Sequence, residues 1–378
     1  MTPPFGFCFA AIHAGIRKTA EDDLALMFSE RPAAAAAVFT SNRVKAAPVT
    51  VSASYLAQSK GVARAIVANA GNANCATPNG VRAARATARA AAAALGVREN
   101  EVLLASTGVI GVPLDEQPIV DALPKLVVLL APESFNAAAR AILTTDTVPK
   151  TASAEVRLRA GAVRIAGMAK GAGMIHPRMG TMLSFLFTDA DLRPAELKPM
   201  LVAAVERSFN RISVDGDTST NDTVYLLANG ASGVRPTSKE RGLVEEGLFV
   251  VAEQLAVAVV RDGEGARKLL TIVVEGASSD RAAAALARAV ANSLLVKTAL
   301  AGADPNWGRI LSAAGSAGVA LDPAKVDIKV NGVQVCRRGM AAEFSEDEVK
   351  RSLEQPESVL HVSIRGGGKG SADRKSVV

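Results

Sequence analysis

The chain has 378 residues, 49% hydrophobic and 21% charged, with 43 basic against 37 acidic side chains and a net charge of +6. Such a composition excludes a disordered chain, and the length allows two lobes, each with its own core. The two signs of charge are mixed along the sequence, and two tyrosines and one tryptophan are too few for base stacking, so no nucleic-acid partner is expected.

From the N-terminus, "MTPPFGFCFAAIHAGIRK" is apolar but lacks a basic n-region, and no later apolar run reaches the length of a membrane span. Cys8, Cys75 and Cys336 are scattered and have no C-x-x-C spacing, which points to a reducing compartment and a cytoplasmic protein. "AAVFTSN" (36–42), "AIVAN" (65–69) and "VLLAST" (102–107) read as strands. Between them "GVRAARATARAAAAALGV" is an alanine-rich helix with arginines on one face. "ESFNAAARAILTTD" is a second helix, and "AEVRLRAGAVRIAGMA" a hairpin turned at Ala160 and Gly161.

"TMLSFLFTDADLRPAELKPMLVAAVERSFN" then gives a strand, a polar turn and an amphipathic helix, followed by a strand in "DTVYLLANG". A long helix closes at the glycines of "RDGEGA", and "KLLTIVVEGA" is a strand. A helix over 280–294, one strand in "KVDIKVNGVQV", another in "VLHVSIR" and a tail "GGGKGSADRKSVV" complete the order. "TMLSFLF" is apolar on both faces, so its sheet should be covered twice, and a layered α/β fold is expected.

The common catalytic templates are absent: there is no H-E-x-x-H, no G-x-S-x-G and no Walker A. Three distant histidines and unpaired cysteines make no metal site, and His176 beside a proline reads as a loop residue. Four polar, glycine-bearing clusters remain: "NAGNANCATPNG" (69–80), "STGVIG" (106–111), "SVDGDTSTNDT" (213–223) and "RDGEG" (261–265). Each taken alone is a turn. The Gly180–Thr181 junction in "KGAGMIHPRMGTMLSF" offers a specific chemistry. Attack of the Thr181 hydroxyl on the Gly180 carbonyl turns the peptide into an ester, whose hydrolysis frees Thr181 as an N-terminal nucleophile with its own α-amine as base.

In this order "STGVIG", "TTDTVPK", "KGAGMIHPRMGTMLSFLFTDA", "SFNRISVDGDTSTNDT", "RDGEGARKLLTIVVEGA" and "DPNWGRIL" resemble the bifunctional glutamate N-acetyltransferase and ornithine acetyltransferase family of arginine biosynthesis, from about Ala11 to about Gly368. The resemblance implies an α-β-β-α sandwich with a smaller α/β lobe from about residue 270. It also implies self-cleavage between Gly180 and Thr181 into an α chain (1–180) and a β chain (181–378), assembled as α2β2. Thr181 would take acetyl from N-acetylornithine and pass it to glutamate. Thr107 and Gly108 fall on the oxyanion-hole pair, and Thr144, Lys170, Thr181 and Glu264 on substrate contacts. Asp146 and Asp217 are expected to order loops, without chemistry of their own.

No cofactor is implied. Family members differ in using acetyl-CoA as a second donor, and no CoA motif separates in this sequence. Two departures stand out. Gly180 replaces the family's usual alanine or cysteine, and the tail carries no asparagine where the family ends in an asparagine and a threonine or serine over the substrate. The tail leads to the expectation that self-cleavage survives while transfer weakens. An N-terminal-threonine amidase or aminopeptidase, and a truncated non-catalytic paralogue, are the alternatives.

Overall fold

The computed structural model describes residues 2–175 and 182–378. The sequence expectations for His176, Gly180 and Thr181 lie outside the described residues. The chain forms two compact units, one of Met1–Asn210 with Asp217–Val259, the other of Arg211–Gly216 with Val260–Val378.

In chain order the first unit contains β1 (Phe7–Ile12), β2 (Leu24–Phe39), α1 (Ala47–Gln58), β3 (Val62–Asn72), α2 (Gly80–Leu95), β4 (Val102–Val109), α3 (Gln117–Val128), α4 (Phe135–Ala141), β5 (Lys150–Leu158), β6 (Gly161–Lys170), β7 (Leu183–Thr188) and α5 (Pro194–Arg207). The two-residue strand β8 (Ile212–Ser213) belongs to the second unit, and β9 (Thr223–Ala228) and most of α6 (Arg241–Arg261) return to the first. The second unit continues with β10 (Leu269–Ala277), α7 (Asp280–Asn292), α8 (Leu294–Ala301), α9 (Trp307–Gly315), β11 (Val326–Val330), β12 (Val333–Arg337), β13 (Met340–Ala341), α10 (Glu346–Leu353), β14 (Glu357–Ile364) and β15 (Gly370–Val377).

The first sheet runs β4-β3-β2-β9-β7-β6-β5, with β1 also on β2. Its 16-residue strand β2 serves two layers. Residues 24–28 pair with β3, the register then shifts before Ala33, and residues 34–39 pair with β9. The inner faces of the two halves meet, with Phe7 and Phe9 of β1 against Phe187 of β7 at ring-centroid distances of 5.1 and 5.3 Å. Alternate residues of β3 and β4 point the other way, where Ala65, Val67 and Leu104 pack with α1, α2 and α3. On the far side α6 lies so close to β6 that a Cβ on Gly167 would sit 2.9 Å from Leu255. The result is the α-β-β-α layering that the sequence motifs imply. All six residues of β7 are buried, as expected for a strand covered twice.

Helix α2 follows from its composition. Ala83, Ala84, Ala88, Ala91 and Ala92 recur at helical spacing and are buried, the arginines face out, and Gly96 at φ 65° ends the helix in the left-handed conformation.

The second sheet runs β13-β12-β11-β14-β10-β15-β8. Two sequence expectations change here. "KVDIKVNGVQV" is a hairpin of two strands, β11 and β12, because Asn331 and Gly332 at φ 48° and 87° make a tight turn. The C-terminal stretch read as a tail is strand β15, hydrogen-bonded to β10 and β8. The alternating buried residues Ala372, Arg374 and Ser376 identify its inward face. Near the N-terminus, β1 and the first part of β2 are strands the sequence reading left unassigned.

Candidate active site

The site is built at the ends of β4 and β6 in the first unit. Strands β3 and β4 run parallel, and Gly71 stands opposite Gly108. At Gly108, with φ 134°, a Cβ would lie 2.2 Å from the Gly71 carbonyl carbon and 2.5 Å from the Asn72 nitrogen. Only glycine permits this backbone contact, which leaves Thr107 buried at 2% exposure and Gly108 on the surface beside it. Gly108→Ala is therefore expected to cost at least about 2 kcal/mol from the positive φ and the clash together. The check is thermal unfolding, and an unchanged melting temperature would refute the close approach.

The asparagine-rich loop after β3 braces this junction. Asn69 donates to the Asn72 carbonyl at 2.9 Å and accepts from the Ser106 hydroxyl. Asn221 donates to the Ala73 and Ser106 carbonyls at 2.7 and 2.8 Å. Cys75 in that loop is a buried thiol in a small apolar cluster with Ala46, Val49 and Ala73. The next residue, Asp222, accepts the Met182 N–H at 3.0 Å. Asn221 and Asp222 together thus set the end of β4, beside Thr107, and the start of β7, one peptide after Thr181. Asp222 is fully buried, and burial pushes its carboxyl well above the usual range. In the sequence this motif looked like a turn, and nothing local marked Asp222 as buried.

Lys170, the last residue of β6, is 1% exposed and brings the site together. Its ammonium donates to the Thr144 hydroxyl and, at 3.3 Å, to the Thr107 hydroxyl. An ammonium has no acceptor, so both hydroxyl oxygens must accept from it, and each keeps its own proton for a third group. Behind Lys170, Asp146 accepts from Lys150 Nζ at 2.6 Å, from the Gly171 N–H at 2.6 Å and from the Thr144 N–H at 3.1 Å, and its Oδ2 lies 3.5 Å from Lys170 Nζ. Burial alone would raise the Asp146 carboxyl, but the Lys170 and Lys150 ammoniums outweigh it and hold the pKa at about 2. Burial lowers that of Lys170, against the pull of Asp146.

Two buried ammoniums share this carboxylate. Asp146 does more than order a loop, and Lys150, the last letter of "TTDTVPK", is a member that the sequence reading did not single out.

Of the expected site residues, Thr107, Gly108, Thr144 and Lys170 thus fall in one neighbourhood of the first unit. Glu264 belongs to the second unit, exposed in the turn after α6. Among the described residues no group of histidine, cysteine and carboxylate side chains has the geometry of a metal site.

A layered α/β framework that gathers hydroxyl and ammonium groups at one point, close in the chain to a threonine, is suited to an acyl-transfer enzyme. The family model of ArgJ matches residues 8–374, and the chain belongs to the ArgJ family. It is 45% identical to the arginine biosynthesis bifunctional protein ArgJ of Thermosynechococcus vestitus, over 98% of this chain and 93% of that one. To the protein of the same name from Thermus thermophilus it is 46% identical, over 98% and 94%. A solved structure of ornithine acetyltransferase complexed with ornithine, from Mycobacterium tuberculosis, is 38% identical over 46% of this chain and 92% of that one, with a TM-score of 0.43.

Proposed function

We propose that the chain cuts itself between Gly180 and Thr181 and then moves acetyl from N-acetylornithine to glutamate. The observation that carries this reading is the Lys170 ammonium, which holds the Thr107 and Thr144 hydroxyls as acceptors and so frees their protons to donate.

The Thr181 oxygen attacks the acetyl carbonyl carbon while the Thr181 α-amine takes the hydroxyl proton. The oxyanion that forms is met by the Thr107 O–H and the Gly108 N–H. Collapse breaks the C–N bond, and the leaving ornithine nitrogen takes back the proton. Glutamate then enters, its α-amine attacks the acetyl ester, and N-acetylglutamate leaves with Thr181 restored. The charge of Lys170 suits the carboxylate common to both amino acids, and that of Glu264 an ammonium.

In this reading the products of cleavage, 1–180 and 181–378, assemble as α2β2 in the cytoplasm and need no resident cofactor, with acetyl-CoA a second donor to be assayed. Among the described residues no single helix is long and apolar enough to cross a membrane.

The test has two parts. Intact mass under denaturing conditions should give two chains divided at Gly180/Thr181, and ornithine release from N-acetylornithine should depend on glutamate. Release without glutamate would instead indicate a hydrolase, and an uncut chain without release would overturn the proposal.

A further inference from the structure

One cation near this site has no assigned role. The loop before β2 is pinned by Asp23, fully buried, whose carboxylate accepts the N–H groups of Ala14, Ile16 and Arg17 at 2.7, 2.7 and 2.9 Å. That pinning fixes where the Arg17 side chain departs. Its Cγ lies only 3.0 Å from where a Cβ on Gly71 would stand, and Gly71 is the residue opposite Gly108. Its Nη2 reaches the Ala141 carbonyl, at the end of α4 and three residues before Thr144, at a long 3.5 Å. Its charge is also felt at Lys170, where it adds to burial in lowering the ammonium's pKa. Arg17 is thus placed beside Gly71, the partner of Gly108, and beside Ala141, three residues before Thr144, near enough to Lys170 for its charge to act there.

The guanidinium is under-used there. It has five N–H donors in a planar fork, yet its Nε is buried with no hydrogen bond, and among the described residues no carboxylate pairs with it. A buried, unpaired donor is costly, so such a group is built to meet an acceptor that arrives from outside. The fork matches a carboxylate.

The two substrates of the proposed reaction, on which this step rests, differ in just this respect. Both carry an α-carboxylate, which the charge of Lys170 attracts. The side chain of N-acetylornithine ends in an ammonium, whereas that of glutamate ends in a second carboxylate. An arginine repels the first and pairs with the second. We infer that Arg17 binds the side-chain carboxylate of the acceptor amino acid, and so serves the second half of the reaction and not the first.

The two half-reactions can be read separately. In Arg17→Ala the KM for glutamate should rise by on the order of tenfold or more, as expected for loss of a charged hydrogen-bonded pair. The KM for N-acetylornithine, and the burst of ornithine released as Thr181 is acetylated, should stay within about twofold. Arg17→Lys, which keeps the charge and loses the fork, should fall between. Acceptors lacking the side-chain carboxylate, such as glutamine, should be used equally by the wild type and Arg17→Ala. An equal rise in both KM values would place Arg17 on the shared α-carboxylate and overturn the inference, as would unchanged kinetics. Loss of the burst together with a lowered melting temperature in both variants would make Arg17 a structural residue and equally overturn it. If the wild type itself shows no glutamate-dependent transfer, the fault lies with the proposed function.

Discussion

Thr181→Ala is expected to leave a single chain of about 38.9 kDa that transfers no acetyl group. The substitution removes the oxygen that the proposed cleavage and the proposed transfer both need. Without it the Gly180 carbonyl meets no nucleophile, so no ester forms and no free α-amine is made. Even a chain cut by other means would lack the atom that carries acetyl. Removal of a catalytic nucleophile lowers kcat by on the order of 10⁴-fold or more, while binding groups remain in place. Thr181→Ser keeps the oxygen and is expected to be cut, with reduced transfer. Denaturing mass spectrometry and ornithine release check both variants. A Thr181→Ala chain that still divides after Gly180 would show that the hydroxyl does not drive cleavage.

The second large effect is expected at Asp146. Asp146→Ala removes the carboxylate that the buried Lys150 and Lys170 ammoniums share, and breaking one partner out of a buried ion pair costs about 3–5 kcal/mol. Acetyl transfer should fall with it, because Lys170 loses the group that fixes it against Thr107 and Thr144. The pH dependence has a definite sign. The Asp146 pKa is lowered from 3.8 to about 2 in the folded chain. Its stabilisation is therefore complete above pH 3.8 and is lost as pH falls through about 2, a contribution of about 2 kcal/mol for a shift of nearly two units. Urea unfolding at neutral pH and along the acid limb measures both quantities. The variant should start lower and decline less steeply between pH 4 and 2, and curves parallel to the wild type would refute the pairing.

How far the sequence disclosed this site depends on what each residue needed from distant chain. Strands such as β7 and β9, and helices α2 and α7, were legible because their patterns are local. Alanines at helical spacing and unbroken apolar runs suffice. Thr107, Gly108, Thr144 and Lys170 were named through long motifs, but their arrangement was not visible. Lys170 and Thr107 are 63 residues apart and meet only because β6 and β4 end at the same place. Lys150 was passed over because a lysine after a proline looks like surface. Its burial follows from pairing with a carboxylate that is itself shared. Arg17 was hidden for the same reason, since the loop that aims it is held by Asp23. Strand β15 was misread because a run of glycine, serine and charged residues has weak strand propensity, which pairing on both sides overrides.

The order of the first sheet has a consequence for how the enzyme is made. Strands β7 and β9 follow Thr181 in the chain, yet they lie between β2 and β6, which precede it, joined by continuous ladders from Ala34–Phe39 to Thr223–Ala228 and from Ile165–Lys170 to Leu183–Thr188. Each fragment made alone would expose the unpaired edges that the other covers, and such edges invite aggregation. Under the proposed cleavage the chain would have to fold before it is cut, and its fragments would then be zipped along both seams, so differently labelled mature molecules mixed together are expected not to trade halves.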